Sequence, residues 1–355
     1  MKTTENNTEQ EDEDIDLFDF CRRHLRVASW ANGRSQTYKP KELRDLIKEV
    51  TKIFKREPSL ATLSPPCTVV GDIHGQYRDL IRILNVGNVK KPVKKGKKDK
   101  NDKGGAEILG INGRFMFLGD YVDRGPNSIE CICLVFSLKC IYPRQYMLLR
   151  GNHETRSTNY TYGFREELVN KLGETEGLEI WKEFNNAFAY MPCAGMIGAK
   201  ILCMHGGISP FLQSLDDIRN IKRPYEGDGD NSNVAFDLLW SDPAEIFDPN
   251  RFLEDDTKPA YYCNIARGCS WVFNEAEVEE CLKRLNIDLI VRAHQVQPFG
   301  YSFFANKKLI TIFSAPKYGN SDNKGSILKV SKNGKVSIAV FSAREPPKGD
   351  TTIGE

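Results

Sequence analysis

An α/β layered domain is what this sequence predicts, and three observations predict it. Short apolar runs, each followed by turn residues and then a helix-spaced segment, repeat through the first half of the chain. Five apolar runs end in a short segment carrying Asp, Asn or His, four of them with Gly. After residue 195 the pattern changes to short runs that alternate apolar and polar side chains between turn residues.

The elements follow in order. Residues 1–14 are polar and acidic, with "EQEDED" at 9–14, and are predicted to be disordered. From Asp16 to Phe54 the spacing is helical: Leu17, Phe20 and Leu25, then Leu43, Leu46, Ile47 and Val50. "CTVV" (67–70) reads as a buried strand and "QYRDLIRIL" as the helix after it. "RFMFL" (114–118) is a second strand, followed by a helix over 128–139. "QYMLL" (145–149) is a third, with a helix near 164–172. "KILCM" (200–204) and "IDLIV" (287–291) are further strands. "GYSFFA", "KLITIF", "GSILKV" and "KVSIAVF", between 300 and 341, read as consecutive antiparallel strands.

Composition bounds the rest. With 355 residues, 40% hydrophobic and 28% charged, the chain is ordinary for a globular protein. A net charge of +2 argues neither for nor against nucleic acid, but no nucleic-acid partner is expected because the lysine-rich stretch lacks interleaved aromatics, and no apolar run is long enough for a membrane span. The first thirty residues lack a signal peptide's apolar core, so the ten cysteines are expected reduced, in the cytoplasm or nucleus. No composition break divides residues 15–341, which are expected to form one domain. Residues 342–355 are expected to be a flexible tail. "VKKPVKKGKKDKNDKGG" (89–105) carries eight lysines and reads as an inserted, solvated loop. A docking or localisation patch for an acidic partner is the sharper reading of it.

The strand ends carry the chemistry. They are "GDIHGQ" (71–76), "GDYVDRG" (119–125), "RGNHE" (150–154), "HGG" (205–207) and "RAHQ" (292–295). Four of the five histidines, His74, His153, His205 and His294, sit there. In an open α/β sheet such ends converge on one crevice. Imidazole and oxygen donors without thiolates suit Mn, Fe, Zn or Mg. Asp72 and His74, two residues apart at a strand end, can face one ion. Asp120 could bridge two ions, with Asn152, His205 and His294 completing the second site. Such a pair of ions clamps a phosphoryl group and activates water.

These motifs, in this order, resemble the phosphoprotein phosphatases of the metallophosphoesterase superfamily, most of all the protein phosphatase 1 catalytic subunits. "LLWSDP" (238–243) and "FSAPKY" (313–318) share the resemblance. It spans about residues 17–341 apart from the lysine-rich loop. The resemblance implies a calcineurin-like β-sandwich flanked by helices, with the active site at the strand C-terminal ends. It implies hydrolysis of phosphoserine and phosphothreonine by direct attack of a hydroxide bridging two divalent ions, manganese as assayed, with iron or zinc also able to serve. Asp72, His74 and Asp120 match ligands of the first ion; Asp120, Asn152, His205 and His294 match those of the second. His153 matches the general acid and Asp123 the carboxylate that orients it. Arg124, Arg267 and Asn152 match groups on the phosphate, and Tyr318 and Tyr162 match tyrosines lining the site. Regulatory subunits are expected at a hydrophobic groove near Phe303. A small-phosphoester hydrolase and a non-catalytic scaffold on the same fold are the alternatives.

Two departures stand out. The family's "SAPNYCG" is "SAPKYGN" here, with Lys317 and Gly319, which removes a cysteine open to electrophilic toxins. The stretch before Arg267 carries Ala266 where relatives have an aspartate, so Arg267 is expected to be held differently.

Overall fold

The computed structural model describes residues 14–26, 36–87, 113–227, 233–244 and 259–343. The acidic N-terminal stretch up to residue 13, the lysine-rich segment 89–105 and the tail from residue 344 lie outside these.

Three sheets form. The strands are β1 (Leu60–Leu63), β2 (Cys67–Val70), β3 (Phe115–Phe117), β4 (Tyr146–Leu148), β5 (Ala194–Ile197), β6 (Ile201–Met204) and β7 (Asp242–Pro243). They continue as β8 (Tyr261–Cys263), β9 (Trp271–Phe273), β10 (Leu289–Arg292), β11 (Tyr301–Phe304), β12 (Leu309–Ile312), β13 (Gly325–Val330) and β14 (Val336–Phe341). One sheet runs β1-β5-β6-β10-β12-β11, a second β14-β13-β2-β3-β4, and a small third β7-β9-β8. The pairs β2–β3, β3–β4, β6–β10 and β10–β12 are parallel.

The two large sheets face each other. Val69, Met116 and Leu149 of one side pack with Cys203, Val291 and Ile312 of the other in a single apolar cluster. The outer face of the five-stranded sheet, with Val70, Phe117 and Leu148, packs against helices Leu17–Leu25, Pro40–Arg56, Ser128–Ile141 and Glu174–Phe188. The outer face of the six-stranded sheet, with Met196, Leu202 and Ile290, packs against helix Glu275–Leu285. The β-sandwich flanked by helices is therefore present.

Local chemistry explains the helices. Pro40 opens its helix, Glu42 accepts from the Lys39 N–H at 3.2 Å, and Leu43, Leu46, Ile47, Val50 and Phe54 form one buried stripe. Helix Ser128–Ile141 is apolar on every side because it lies between the other helices and the sheet.

One expectation needs correction. The stretch 300–341 is not one antiparallel run. β11 and β12 form a hairpin in the six-stranded sheet, whereas β13 and β14 form a hairpin in the five-stranded one. The chain changes sheet between them, and Phe313 bridges to Asp72 there. Alternation marks a strand, but its partners are set by contacts distant in sequence: β12 lies parallel to β10, and β13 pairs with β2.

Gly71 makes that junction possible. Its N–H donates to Ser314 Oγ at 2.8 Å, and a Cβ there would lie 2.1 Å from the Ile312 carbonyl oxygen. Gly71→Ala is expected to destabilise the fold by about 1–3 kcal/mol or more, since backbone cannot yield as a side-chain tip can. Urea unfolding of the two proteins, compared at their midpoints, measures it.

Candidate metal centre and active site

The loops after β2, β3, β4, β6 and β10 bring their polar residues to one end of the sandwich. Asp72 and His74 follow β2, Asp120 and Asp123 follow β3, and Asn152 and His153 follow β4. His205 and His294 arrive from the facing sheet, after β6 and β10. All eight are buried.

The loops are tightly wound. Among the described residues, His74, Asp120, Asp123, Arg124, His294 and Lys317 all take positive φ, between 45° and 70°. Left-handed backbone off glycine costs on the order of 1–3 kcal/mol and persists where surroundings impose it, which is common at functional sites.

Two donor clusters form around one shared carboxylate. His74 Nε2 lies 3.4 Å and His205 Nε2 3.3 Å from Asp120 Oδ2. Asp72 Oδ2 is 3.7 Å from His74 Nε2. His205 Nε2 is also 2.8 Å from Asn152 Oδ1 and 3.1 Å from His294 Nδ1. The ring orientations are set from behind. His74 Nδ1 lies 2.9 Å from the Val122 carbonyl and His205 Nδ1 3.1 Å from that of Leu118. A carbonyl only accepts, so both Nδ1 atoms carry the proton and each Nε2 turns a lone pair inward. With both rings neutral, lone pairs from nitrogen and oxygen converge here. That donor set fits divalent cations.

The electrostatics pull both ways: burial alone would lower His205, but Asp120 and Asp72 outweigh it and raise its pKa, so a proton competes for the place of a cation. Burial, then the neighbouring Asp120 carboxylate, pushes Asp72 up to about 6. Burial lowers His74 to about 3. Burial, reinforced by Arg267, holds His294 far below the usual histidine range. Burial opposes the charge of Asp120, yet His205 and His153 outweigh it and keep its pKa below the ordinary value.

His153 belongs to the cluster of His74 and Asp120, their ligand-capable atoms all lying within 4.8 Å of one another. Its Nδ1 is 2.6 Å from Asp123 Oδ2, and its N–H donates to Asp120 Oδ1 at 3.0 Å. Asp123 Oδ1 accepts from the Phe164 N–H at 2.8 Å, which holds that carboxylate in place. Burial alone would lower His153; Asp120 and Asp123 outweigh it and raise its pKa.

Cations and aromatics complete the rim. Arg124 stacks on Tyr162, with 4.0 Å from its guanidinium carbon to the ring centre. Arg267 Nε donates to Asp242 Oδ2 at 2.9 Å, and an Arg267 terminal nitrogen to the His294 carbonyl at 3.2 Å. Tyr318 stacks on His74, centroids 4.8 Å apart. Every residue singled out at the strand ends, with Arg124, Arg267, Tyr162 and Tyr318, is therefore gathered here.

Three residues without an assigned role in the sequence prove structural to the site. Glu154 accepts from the N–H groups of Asp120 and Tyr121, both at 2.8 Å, and of Gly151 at 2.9 Å, tying two loops together. Asp242 holds Arg267, and it also accepts from Arg292 at 2.8 Å and Asn264 at 2.9 Å. Asn264 Oδ1 accepts from the Arg267 N–H at 3.2 Å. Arg267 is thus held without an acidic residue at 266, which is the exposed Ala266. Glu154 ends "RGNHE" and Asp242 lies in "LLWSDP", so both motifs marked them.

A family model described as calcineurin-like phosphoesterase matches residues 65–298, the span that supplies all of these strand-end groups. The chain belongs to the calcineurin-like phosphoesterases. It is 41% identical over 320 residues to serine/threonine-protein phosphatase PP1-delta of Caenorhabditis elegans, covering 90% of this chain and 93% of that one. A second serine/threonine-protein phosphatase of that organism is 40% identical over 301 residues, 84% of this chain and 58% of the relative. A solved structure, a protein serine/threonine phosphatase from Saccharomyces cerevisiae with similarity to human phosphatase PP5, superposes with TM-score 0.70 and 28% identity. It covers 88% of this chain and 92% of that one. Within the calcineurin-like phosphoesterases the chain is a serine/threonine protein phosphatase, a hydrolase. Membership implies divalent metal ions, and the His/Asp clusters around Asp120 can hold them.

Proposed function

We propose that this phosphatase cleaves phosphoserine and phosphothreonine esters in proteins at the centre built on Asp120. One observation supports the reading: Asp120 is common to two ligand-capable clusters, with His74 and His153 on one side and His205 and His294 on the other, and His153 is turned to Asp123, 2.6 Å away. Asp72, His74 and Asp120 would hold one ion; Asp120, Asn152, His205 and His294 the other. Manganese, iron or zinc in these places supplies charge neutralisation on the phosphoryl group and a water of lowered pKa.

The chain's own groups do the rest. Arg124 and Arg267 grip phosphate oxygens through planar guanidinium forks, and Asn152 offers its amide beside them. Asp123 fixes the His153 ring through Nδ1, which leaves Nε2 to protonate the departing serine or threonine oxygen. Tyr318 and Tyr162 wall the site. The test is metal analysis joined to substrate competition. About two divalent ions per chain and preference for a phosphoserine peptide over a dinucleoside polyphosphate are expected; absence of metal, or the reverse preference, overturns the reading.

Arg267→Lys keeps the charge but loses the fork and the Asp242 anchor. It is expected to lower kcat/KM for phosphopeptide roughly 10–100-fold, the weight of one hydrogen bond to a charged group. The loss should fall mainly on KM in steady-state assays.

Residues 15–341 read as one catalytic domain, because both large sheets contribute to the same site. Ten free cysteines support an intracellular setting, cytoplasmic or nuclear. Among the described residues no helix is long and apolar enough to cross a membrane. Regulatory subunits have a candidate place at β11, an edge strand of the six-stranded sheet, where Phe303 is exposed. A pull-down with short peptides of alternating apolar residues tests this, and failure to bind removes it.

A further inference from the structure

The opposite end of the sandwich carries a cavity. It is a cleft of about 770 Å³ whose lining includes Arg56, Glu57, Ser64, Arg114, Arg144 and Met147. Arg114 precedes β3 and Arg144 precedes β4, whereas Asp120 and Asn152 follow those strands. The cleft and the catalytic centre therefore lie at opposite ends of the same strands.

Its charges do not cancel. Glu57, the only carboxylate in the lining, is engaged by the buried Lys139, whose Nζ also donates to the carbonyls of Pro143 at 2.9 Å and Tyr146 at 2.8 Å. Arg56, Arg114 and Arg144 are exposed and have no carboxylate partner among the described residues; Arg114 makes only long contacts, 3.4 and 3.5 Å, to the Ser64 and Pro65 carbonyls. Three guanidinium groups around a ligand-sized hollow fit a run of carboxylates.

The chain supplies such a run close by. Helix Leu17–Leu25 lies antiparallel along helix Ser128–Ile141. The Cys21 thiol bonds to Ser137 and neighbours Tyr142 and Tyr146. Further along, the Tyr77 hydroxyl donates to the His24 carbonyl at 2.5 Å, and Tyr77 neighbours Cys131 and Glu130. The first turn of Leu17–Leu25 therefore points toward Tyr142 and Pro143, at the cleft's rim. Leading into that turn are Glu9, Glu11, Asp12, Glu13 and Asp14. Residues 9–14, extended, reach roughly 20 Å from Ile15.

We propose that the arginine cleft binds this chain's own acidic stretch at residues 9–14. Tethering holds that stretch at an effective concentration of about a millimolar, so exposed ion pairs of modest strength are enough. The contact must be salt-sensitive, because such pairs are screened over about 10 Å at 0.1 M salt. Since the docked stretch is remote from the catalytic end, it guards the cleft against other acidic peptides and leaves phosphoester turnover untouched.

The test uses the full chain with the photo-crosslinking residue p-benzoylphenylalanine in place of Gln10. Crosslinks within one chain to residues 56–64 or 143–147 are expected, falling at least fivefold in 0.5 M salt. The same fall is expected in Arg56→Glu/Arg144→Glu. Lysine at 9, 11, 12 and 13 in that background should restore the crosslinks. Both arginines are exposed and outside the catalytic machinery, so turnover of a small aryl phosphate should equal the parent's and certify the fold. Crosslinks that map elsewhere, or that ignore charge reversal, overturn the proposal. Crosslinks reaching the cleft only between chains also overturn it, and assign the cleft to acidic segments in trans.

Discussion

His153→Asn is expected to lower turnover of a phosphoserine peptide by about 10²–10⁴-fold, the usual weight of a positioned general acid, with the metal content of the parent retained. His153 lies within ligand range of His74 and Asp120, so the variant tests whether it holds metal or supplies the proton. His153 Nδ1 is committed to Asp123, 2.6 Å away, so its ring faces the site through Nε2 alone. The six proposed ligands do not include it, and asparagine retains the backbone N–H that donates to Asp120. A serine alkoxide leaves poorly without a proton; a nitrophenolate leaves well without one. The loss should therefore be much smaller on p-nitrophenyl phosphate than on the peptide. Phosphate release on both substrates, with metal analysis of the same preparation, checks this. Equal losses on the two substrates, or loss of metal, would remove His153 from the acid role.

Asp120→Asn acts on the ions themselves. Asp120 Oδ2 lies within 3.4 Å of a histidine nitrogen on each side, so one substitution weakens both clusters. At least one ion per chain should be lost on dialysis. Turnover should fall on the order of 10³-fold or more, since metal Lewis acidity supplies several kcal/mol to the transition state and 1.36 kcal/mol is a factor of ten. Excess manganese should restore part of the activity of Asp120→Asn and none of that of His153→Asn. Full occupancy in Asp120→Asn would refute the shared carboxylate.

The strand ends were legible because local signals coincide there. An apolar run, a glycine and a metal-capable side chain fall within a few residues at "GDIHG" and "GDYVDRG". Glu154 and Asp242 had no assigned role because nothing local distinguishes a carboxylate that accepts three backbone N–H groups from one on the surface. Their roles exist only once the loops meet. β1 and the β8–β9 hairpin escaped for a related reason. They are strands of three or four residues, and β8 has no fully buried position. The division of 300–341 between two sheets was illegible because register along a strand says nothing about which distant strand lies beside it.

The centre draws on both halves of the sandwich: Asp72, His74, Asp120 and Asn152 extend from the five-stranded sheet, His205 and His294 from the six-stranded one. An ion held across that seam would work as a rivet added to the apolar packing between the sheets. Its loading would then be linked to folding, because a cation bound only by the folded form stabilises it in proportion to the logarithm of its free concentration. Cellular metal supply would then govern how long each molecule survives as well as how fast it works. A chelator would shorten the protein's lifetime even with no substrate present.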